Sequence, residues 1–117
     1  SKMSKDCLFC KIIAGEIPST EVYRDEEIFA FEDINPAAPT HVLVVPVKHI
    51  QDISSATAED RETLGNLLLV ANQIAEERGL TKDGFRYVIN TGRDGGQTVF
   101  HLHLHILGGR SLGWPPG

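Results

Sequence analysis

Three of the chain's five histidines, His101, His103 and His105, stand at alternate positions in the stretch VFHLHLHILG, residues 99–108. A period of two is the period of a β-strand, so the three imidazoles are expected on one face, with Phe100, Leu102, Leu104 and Ile106 on the other. Same-face neighbours on a regular strand lie roughly 6.5 to 7 Å apart, which separates His101 from His105 by about 13 Å. A zinc ion holds its ligands about 2 Å away, so one ion can engage at most two neighbours of this row. The other chemistry open to such a row is nucleophilic catalysis. A neutral imidazole attacks phosphorus near neutral pH, and a flanking imidazole or hydroxyl can hold the phosphoryl oxygens or protonate a leaving group.

The residues immediately upstream suit a phosphate. Gly95 and Gly96 let the main chain approach an anion closely, and Gln97 and Thr98 add side-chain donors just before the row. A second set of candidate ligands sits at the other end of the chain. Cys7 and Cys10, the only cysteines, form a C-x-x-C pair that supplies two corners of a tetrahedral site. Two further ligands must then come from His41, His49 or the histidine row.

These residues need a scaffold, and the rest of the sequence describes one. The chain of 117 residues is 41% hydrophobic and 23% charged, which suits one soluble domain with a real core. Ser1 and Lys2 precede Met3 as a candidate remnant of expression, so the domain is set at residues 3–117. The formal net charge of -5 leaves no basic footprint for nucleic acid, and no apolar run approaches a membrane span. Two cysteines so close together suit a reducing compartment, and the cytoplasm is expected. The hydrophobic pattern predicts strands over residues 20–24, 27–32, 40–45, 85–90 and 99–107. A short helix through CLFCKIIA is capped by Asp6 and ended by Gly15. A long helix is capped by Thr57 and stopped by Gly79, with Leu64, Leu67, Leu68, Ala71, Ile74 and Ala75 as its apolar stripe. The expected fold is α+β: an antiparallel sheet of about five strands with one long and one short helix.

The motif HLHLHIL resembles the signature of the histidine-triad superfamily of nucleotide hydrolases and transferases. FEDINPAAPTHVLVVP, VINTGRDGGQTVF and the terminal GGRSLGWPPG are similar to the Hint branch, and the resemblance runs from about Cys7 to the end. It implies a homodimeric purine nucleoside 5'-phosphoramidate hydrolase that releases a nucleoside monophosphate and an amine. His103 matches the nucleophile, which forms a covalent nucleotidyl-histidine. His105 matches the phosphate-contacting position. His101 matches the first triad position, and His41 the fourth family histidine, expected close to His101 as an outer-shell or relay partner. Asp33 and Ile34 resemble positions that bind ribose and base, and Asn90, Gly96, Gln97 and Thr98 resemble those around the α-phosphate. Thr98 replaces the serine usual in animal relatives and keeps the hydroxyl. Trp114 matches a tail residue that borders the partner's substrate channel.

The C-x-x-C pair departs from the animal relatives and resembles branches that bind structural zinc. There the remaining ligands fall at positions matching His49 and His101. A Cys2His2 set of Cys7, Cys10, His49 and His101 is closed, so such zinc would be structural and catalysis would need no cofactor. A zinc-held His101 cannot act as acid or base, which leaves the leaving amine to Thr98, His105 or water. Two other functions stay open on sequence: a dinucleoside polyphosphate hydrolase of the neighbouring branch, and a purine-nucleotide-binding module without turnover.

Overall fold

The computed structural model describes residues 6–117; Ser1 and Lys2, with the start of the domain at Met3, lie outside the described residues. A short helix α1 (Leu8–Ile13) leads into β1 (Glu21–Arg24), β2 (Ile28–Glu32) and β3 (Thr40–Pro46). The long helix α2 (Arg61–Glu77) follows, and β4 (Phe85–Val88) and β5 (Leu104–Gly108) complete the elements. The five strands form one sheet in the order β1-β2-β3-β5-β4, and every neighbouring pair is antiparallel.

Local chemistry sets most of the boundaries. Asp25 closes the β1–β2 turn, its Oδ1 accepting from the N–H groups of Glu27 and Ile28 at 2.7 Å each. Gly15 and Gly79 follow the two helices with positive φ, the conformation that ends a helix and that glycine adopts without strain. The cap of α1 is Cys7 rather than Asp6: the Cys7 sulfur accepts from the Cys10 N–H at 3.4 Å. Thr57 caps a single 3-10 turn (Ala58–Asp60) that feeds α2, in a capping box closed by Asp60.

The two faces of the sheet have different occupants. Ile28, Ala30, Val42, Val44, Leu104 and Ile106 pack beneath Leu67, Val70, Ala71, Ile74 and Ala75 of α2. Burying side chains of this size contributes about 1.5 to 3 kcal/mol each. The helix stripe is rotated slightly from expectation. Val70 is buried and Leu68 is exposed, because the face turned to the sheet follows 67, 70, 71, 74 and 75. On the opposite face Phe29, Phe31, Leu43 and Val45 pack against Phe9, Cys10, Ile12 and Ile13 of α1. His41 and His105 share this second face, since β3 and β5 pair in the register His41 with Leu107 and Leu43 with His105.

The last strand is shorter than the alternation predicts. β5 begins at Leu104, so His101 and His103 precede the ladder instead of standing in it. Residues 101 and 102 are drawn toward the end of β3 and the chain just beyond it: His101 Nε2 donates to the Pro46 carbonyl at 2.8 Å, and the Leu102 N–H donates to the Ile50 carbonyl at 2.6 Å. β4 likewise ends at Val88, two residues before the expected boundary at Asn90.

Candidate active site and metal centre

The histidine row divides into three environments. His101 is fully buried, with its Nε2–H spent on the Pro46 carbonyl and its Nδ1 turned toward sulfur. Cys7 Sγ lies 3.2 Å from His101 Nδ1 and Cys10 Sγ lies 3.6 Å from it. His49 Nδ1 is 3.2 Å from His101 Nδ1 and 3.5 Å from Cys10 Sγ. One ligand atom from each of the four residues falls within 4.8 Å of all the others. A tetrahedral ion bound at usual Zn–N and Zn–S lengths would set its nitrogens about 3.3 Å apart and each sulfur about 3.6 Å from a nitrogen. The four residues therefore form a cluster that can hold a metal ion, with the Pro46 carbonyl fixing the His101 tautomer as an outer-shell acceptor does. No disulfide joins Cys7 and Cys10. A cavity of about 510 Å³ opens between the start of α1 and residues 98–100, with Cys7 and His49 on its wall.

His103 points the other way chemically. Its Nδ1 donates to the main-chain carbonyl of His101 at 2.7 Å, so the neutral ring carries its lone pair on Nε2. The Phe9 ring meets its edge at a centroid distance of 5.0 Å and an interplanar angle of 85°. Burial lowers the His103 imidazole below its ordinary value, against the hydrogen bond to the His101 carbonyl and the Asp33 charge, which both raise it. At neutral pH the ring is an uncharged imidazole with one open nitrogen. That is what an attacking nitrogen requires.

His105 lies beside it, ring centroids 5.0 Å apart. Its Nδ1 is 2.9 Å from His41 Nε2, and its Nε2 is buried with no hydrogen-bond partner among the described residues. His41 Nδ1 accepts the Ala37 N–H at 2.9 Å, which places the His41 proton on Nε2 and makes it the donor to His105. His105 is then left with an N–H at Nε2, a buried donor that calls for an acceptor. Burial pushes the His105 imidazole down to about 4, with the neighbouring His103 and His41 adding to the effect and Asp33 opposing it. The expected pairing of His41 with His101 is corrected here. The β3–β5 register sets His41 diagonally across from His105, while His101 has left the ladder for the cysteines. Asp33, His41 and His105 also place ligand atoms close together. Their hydrogen bonds describe a proton chain rather than a metal site, because His41 Nδ1 is an acceptor and its Nε2 must keep the proton.

Of the phosphate-loop residues, Gln97 departs most from expectation. Both donors of its side-chain amide are used on the carbonyls of Gln51 and Val99, at 3.0 and 3.1 Å. Its Oε1 accepts the Gly92 N–H at 2.9 Å. Its side chain therefore braces the loop from within and offers no spare donor to a ligand. Gly95 is held for a steric reason, since a Cβ there would meet the Thr91 carbonyl oxygen at 2.5 Å. Gly96 takes positive φ, Thr98 is exposed on the same loop, and Asn90 is half-buried just past β4. Asp33 follows β2 and sits 3.3 Å from His41 Nε2. Ile34 is 89% exposed beside it, and Trp114, 81% exposed, lies near Arg86 at 5.8 Å from ring centroid to guanidinium. The residues that sequence reasoning missed are Phe9, the Ala37 N–H and the carbonyls of Pro46 and His101. Only Phe9 left a trace, as an apolar position between the two cysteines.

A model of the HIT domain matches residues 14–112. The chain belongs to the HIT family. A HIT-like protein of Synechococcus elongatus is 56% identical over 115 residues, spanning 98% of this chain and 100% of that protein. The purine nucleoside phosphoramidase of Escherichia coli K12 is 48% identical over 111 residues, spanning 95% of this chain and 93% of that enzyme. Among solved structures, a HIT family hydrolase from Legionella pneumophila superposes with a TM-score of 0.94 at 52% identity, covering 96% of this chain and 100% of that one. The five-stranded antiparallel sheet with one long helix is thus the HIT fold, and the Hint-like resemblance seen in the motifs is that of the family.

Proposed function

We propose that this HIT protein hydrolyses purine nucleoside 5'-phosphoramidates through a covalent intermediate on His103. The observation that carries this reading is the hydrogen bond from His103 Nδ1 to the His101 carbonyl, which leaves Nε2 as an oriented lone pair in a buried site. His103 Nε2 attacks phosphorus and the P–N bond breaks, with the leaving amine taking up a proton. Water then attacks the phosphorus of the nucleotidyl-histidine, releases the nucleoside monophosphate and restores the imidazole. The His105 Nε2–H, buried without a partner among the described residues, is assigned to donate to a phosphoryl oxygen or to the departing nitrogen. His101 takes no part in proton transfer, because Nε2 is committed to Pro46 and Nδ1 to the sulfur cluster. The hydroxyl of Thr98 is the other candidate donor to the leaving nitrogen. Asp33 and Ile34 are assigned to ribose and base, and Asn90 and Gly96 to the α-phosphate. Gln97 acts there only by shaping the loop.

We propose that Cys7, Cys10, His49 and His101 hold a structural zinc ion. All four ligands come from the chain, so the ion ties the N-terminal helix to the residues before β5 and contributes folding free energy. Thiolate ligands suit a reducing compartment, and the cytoplasm is the proposed location. A homodimer accords with apolar side chains left exposed at Leu68, Leu69 and Trp114. Light scattering should give twice the chain mass of 12.9 kDa. A stable mass near that single-chain value would refute the dimer.

Incubation with an adenosine phosphoramidate and, separately, with a diadenosine polyphosphate tests the activity. Turnover of the first alone supports the reading, faster turnover of the second makes the chain a polyphosphate hydrolase, and turnover of neither leaves a binding module. His103→Asn should lose the chemical step by several orders of magnitude while still binding nucleoside monophosphate. Wild-type kcat in that variant would refute the covalent mechanism.

A further inference from the structure

We propose that Asp33 is a positioning residue of the phosphate site, acting through His41 to hold His105 with its proton on Nε2. The inference rests on the proposed phosphoramidase reading, in which Asp33 is otherwise only a ribose contact. Its basis is the way Asp33 is tied to His41 at both main chain and side chain. The Asp33 N–H donates to the His41 carbonyl at 3.0 Å. Its Oδ1 accepts the Asn35 N–H at 2.8 Å, which fixes the carboxylate, and its Oδ2 lies 3.3 Å from His41 Nε2.

The His41 ring is therefore clamped at both nitrogens. At Nδ1 the Ala37 N–H admits only an acceptor. At Nε2 a carboxylate, which is only an acceptor itself, favours the protonated nitrogen. That Nε2–H faces two acceptors, Asp33 Oδ2 at 3.3 Å and His105 Nδ1 at 2.9 Å. Donation to His105 Nδ1 in turn forces the His105 proton onto Nε2, the one buried polar side-chain atom without a partner among the described residues. The carboxylate thus stands two imidazoles away from the proposed phosphate position, in ion-pair contact with His41, which is hydrogen-bonded to His105 in a site of low solvent access. A sugar recognised by Asp33 is read by the same group that sets the donor for the phosphoryl oxygens.

A substrate lacking the sugar hydroxyls separates the two roles. On 2',3'-dideoxyadenosine 5'-phosphoramidate a group that only bound ribose has nothing left to bind, so Asp33→Asn would behave as wild type. Positioning predicts instead that Asp33→Asn lowers the single-turnover kcat on this substrate by about ten- to a hundred-fold, a loss of the size seen when the partner orienting a metal-bound imidazole is removed. KM should stay within about two-fold, since uniform binding is untouched. Combined with His41→Gln, the Asp33→Asn change should cost nothing further on the same substrate. Unchanged kcat in Asp33→Asn, or losses that multiply in the double variant, would overturn the proposal. Imidazole nitrogen NMR of the substrate-free protein gives a readout independent of turnover. His105 should be protonated on Nε2 in the wild type and a tautomer mixture in Asp33→Asn; a wild-type His105 protonated on Nδ1 would refute the chain. If the wild type turned over neither substrate, the functional reading would fail while the NMR measurement still decided the positioning.

Discussion

Removal of the proposed zinc should lower stability before it touches the reaction, by an amount that follows from binding linkage. Four ligand atoms from the start of α1, from residue 49 and from residue 101 converge on one point, so the unfolded chain has no comparable site and binding is linked to folding. Free zinc at about 100 times its Kd then stabilises the folded state by about 2.7 kcal/mol. For a domain of this length each kcal/mol moves Tm by roughly 4 °C, so zinc should raise it by about 11 °C over the chelated protein. Calorimetry of the wild type and of Cys10→Ser, each with zinc and with a chelator, measures this shift within each protein. The intrinsic cost of placing a hydroxyl in a buried position cancels in that comparison. The wild type should show the full shift and about one zinc per chain by elemental analysis, and Cys10→Ser should lose most of both. At 20 °C the chelated wild type should still turn over substrate, because His103 and His105 are not ligands in this arrangement. An equal zinc shift in Cys10→Ser would refute the ligand set. Immediate loss of activity on chelation, restored by zinc with the fold intact, would refute the structural role.

Other outcomes follow from particular contacts. Gly95→Ala drives a Cβ to 2.5 Å from the Thr91 carbonyl oxygen, a main-chain atom that cannot swing away; it should cost about 1 to 3 kcal/mol in urea unfolding. Gly113→Ala, where nothing lies within 4 Å, should be neutral and serves as control. Phe9→Ala removes a buried ring packed on Phe31 and His103 and should cost about 3 to 5 kcal/mol, with Phe9→Leu recovering most of it; equal Tm values for the two variants would refute the packing argument. His105 is lowered from 6.5 to about 4 by burial, so between those values the unfolded chain binds more protons than the folded one. Its contribution is complete above about pH 6.5 and is lost as pH falls toward 4. A Tm series should show a shallower acid slope in His105→Asn than in the wild type, and identical slopes would refute the shift.

The chemistry-bearing residue types were legible in the sequence, and so was the sheet. Short apolar, β-branched-rich runs at 40–45 and 27–32 placed β3 and β2 almost to the residue, because a strand covered on both faces keeps Val42 and Val44 under α2 and Leu43 against α1. The same rule failed at 101–103. Nothing in the side-chain pattern registers that the carbonyls of Pro46 and Ile50 pull that segment off the ladder, since a main-chain acceptor carries no sequence signal. The partner of His41 was misplaced for a related reason. Register between β3 and β5 decides which histidine it meets, and register is a property of two strands together. Gln97 carries a side chain able to donate to a ligand; only the path of residues 51 and 99 shows that its amide is already used.

The group that orients His103 is the main-chain carbonyl of His101. Every residue type carries a carbonyl, so no point substitution at 101 deletes this acceptor, and it is inherited with the course of the chain. Relatives are therefore free to gain or lose the cysteines, and with them any metal such a cluster holds, while the nitrogen proposed to attack keeps its orientation. A lineage can exchange how its N-terminus is fastened without rebuilding its catalyst, provided the chain between residues 101 and 103 keeps its bend.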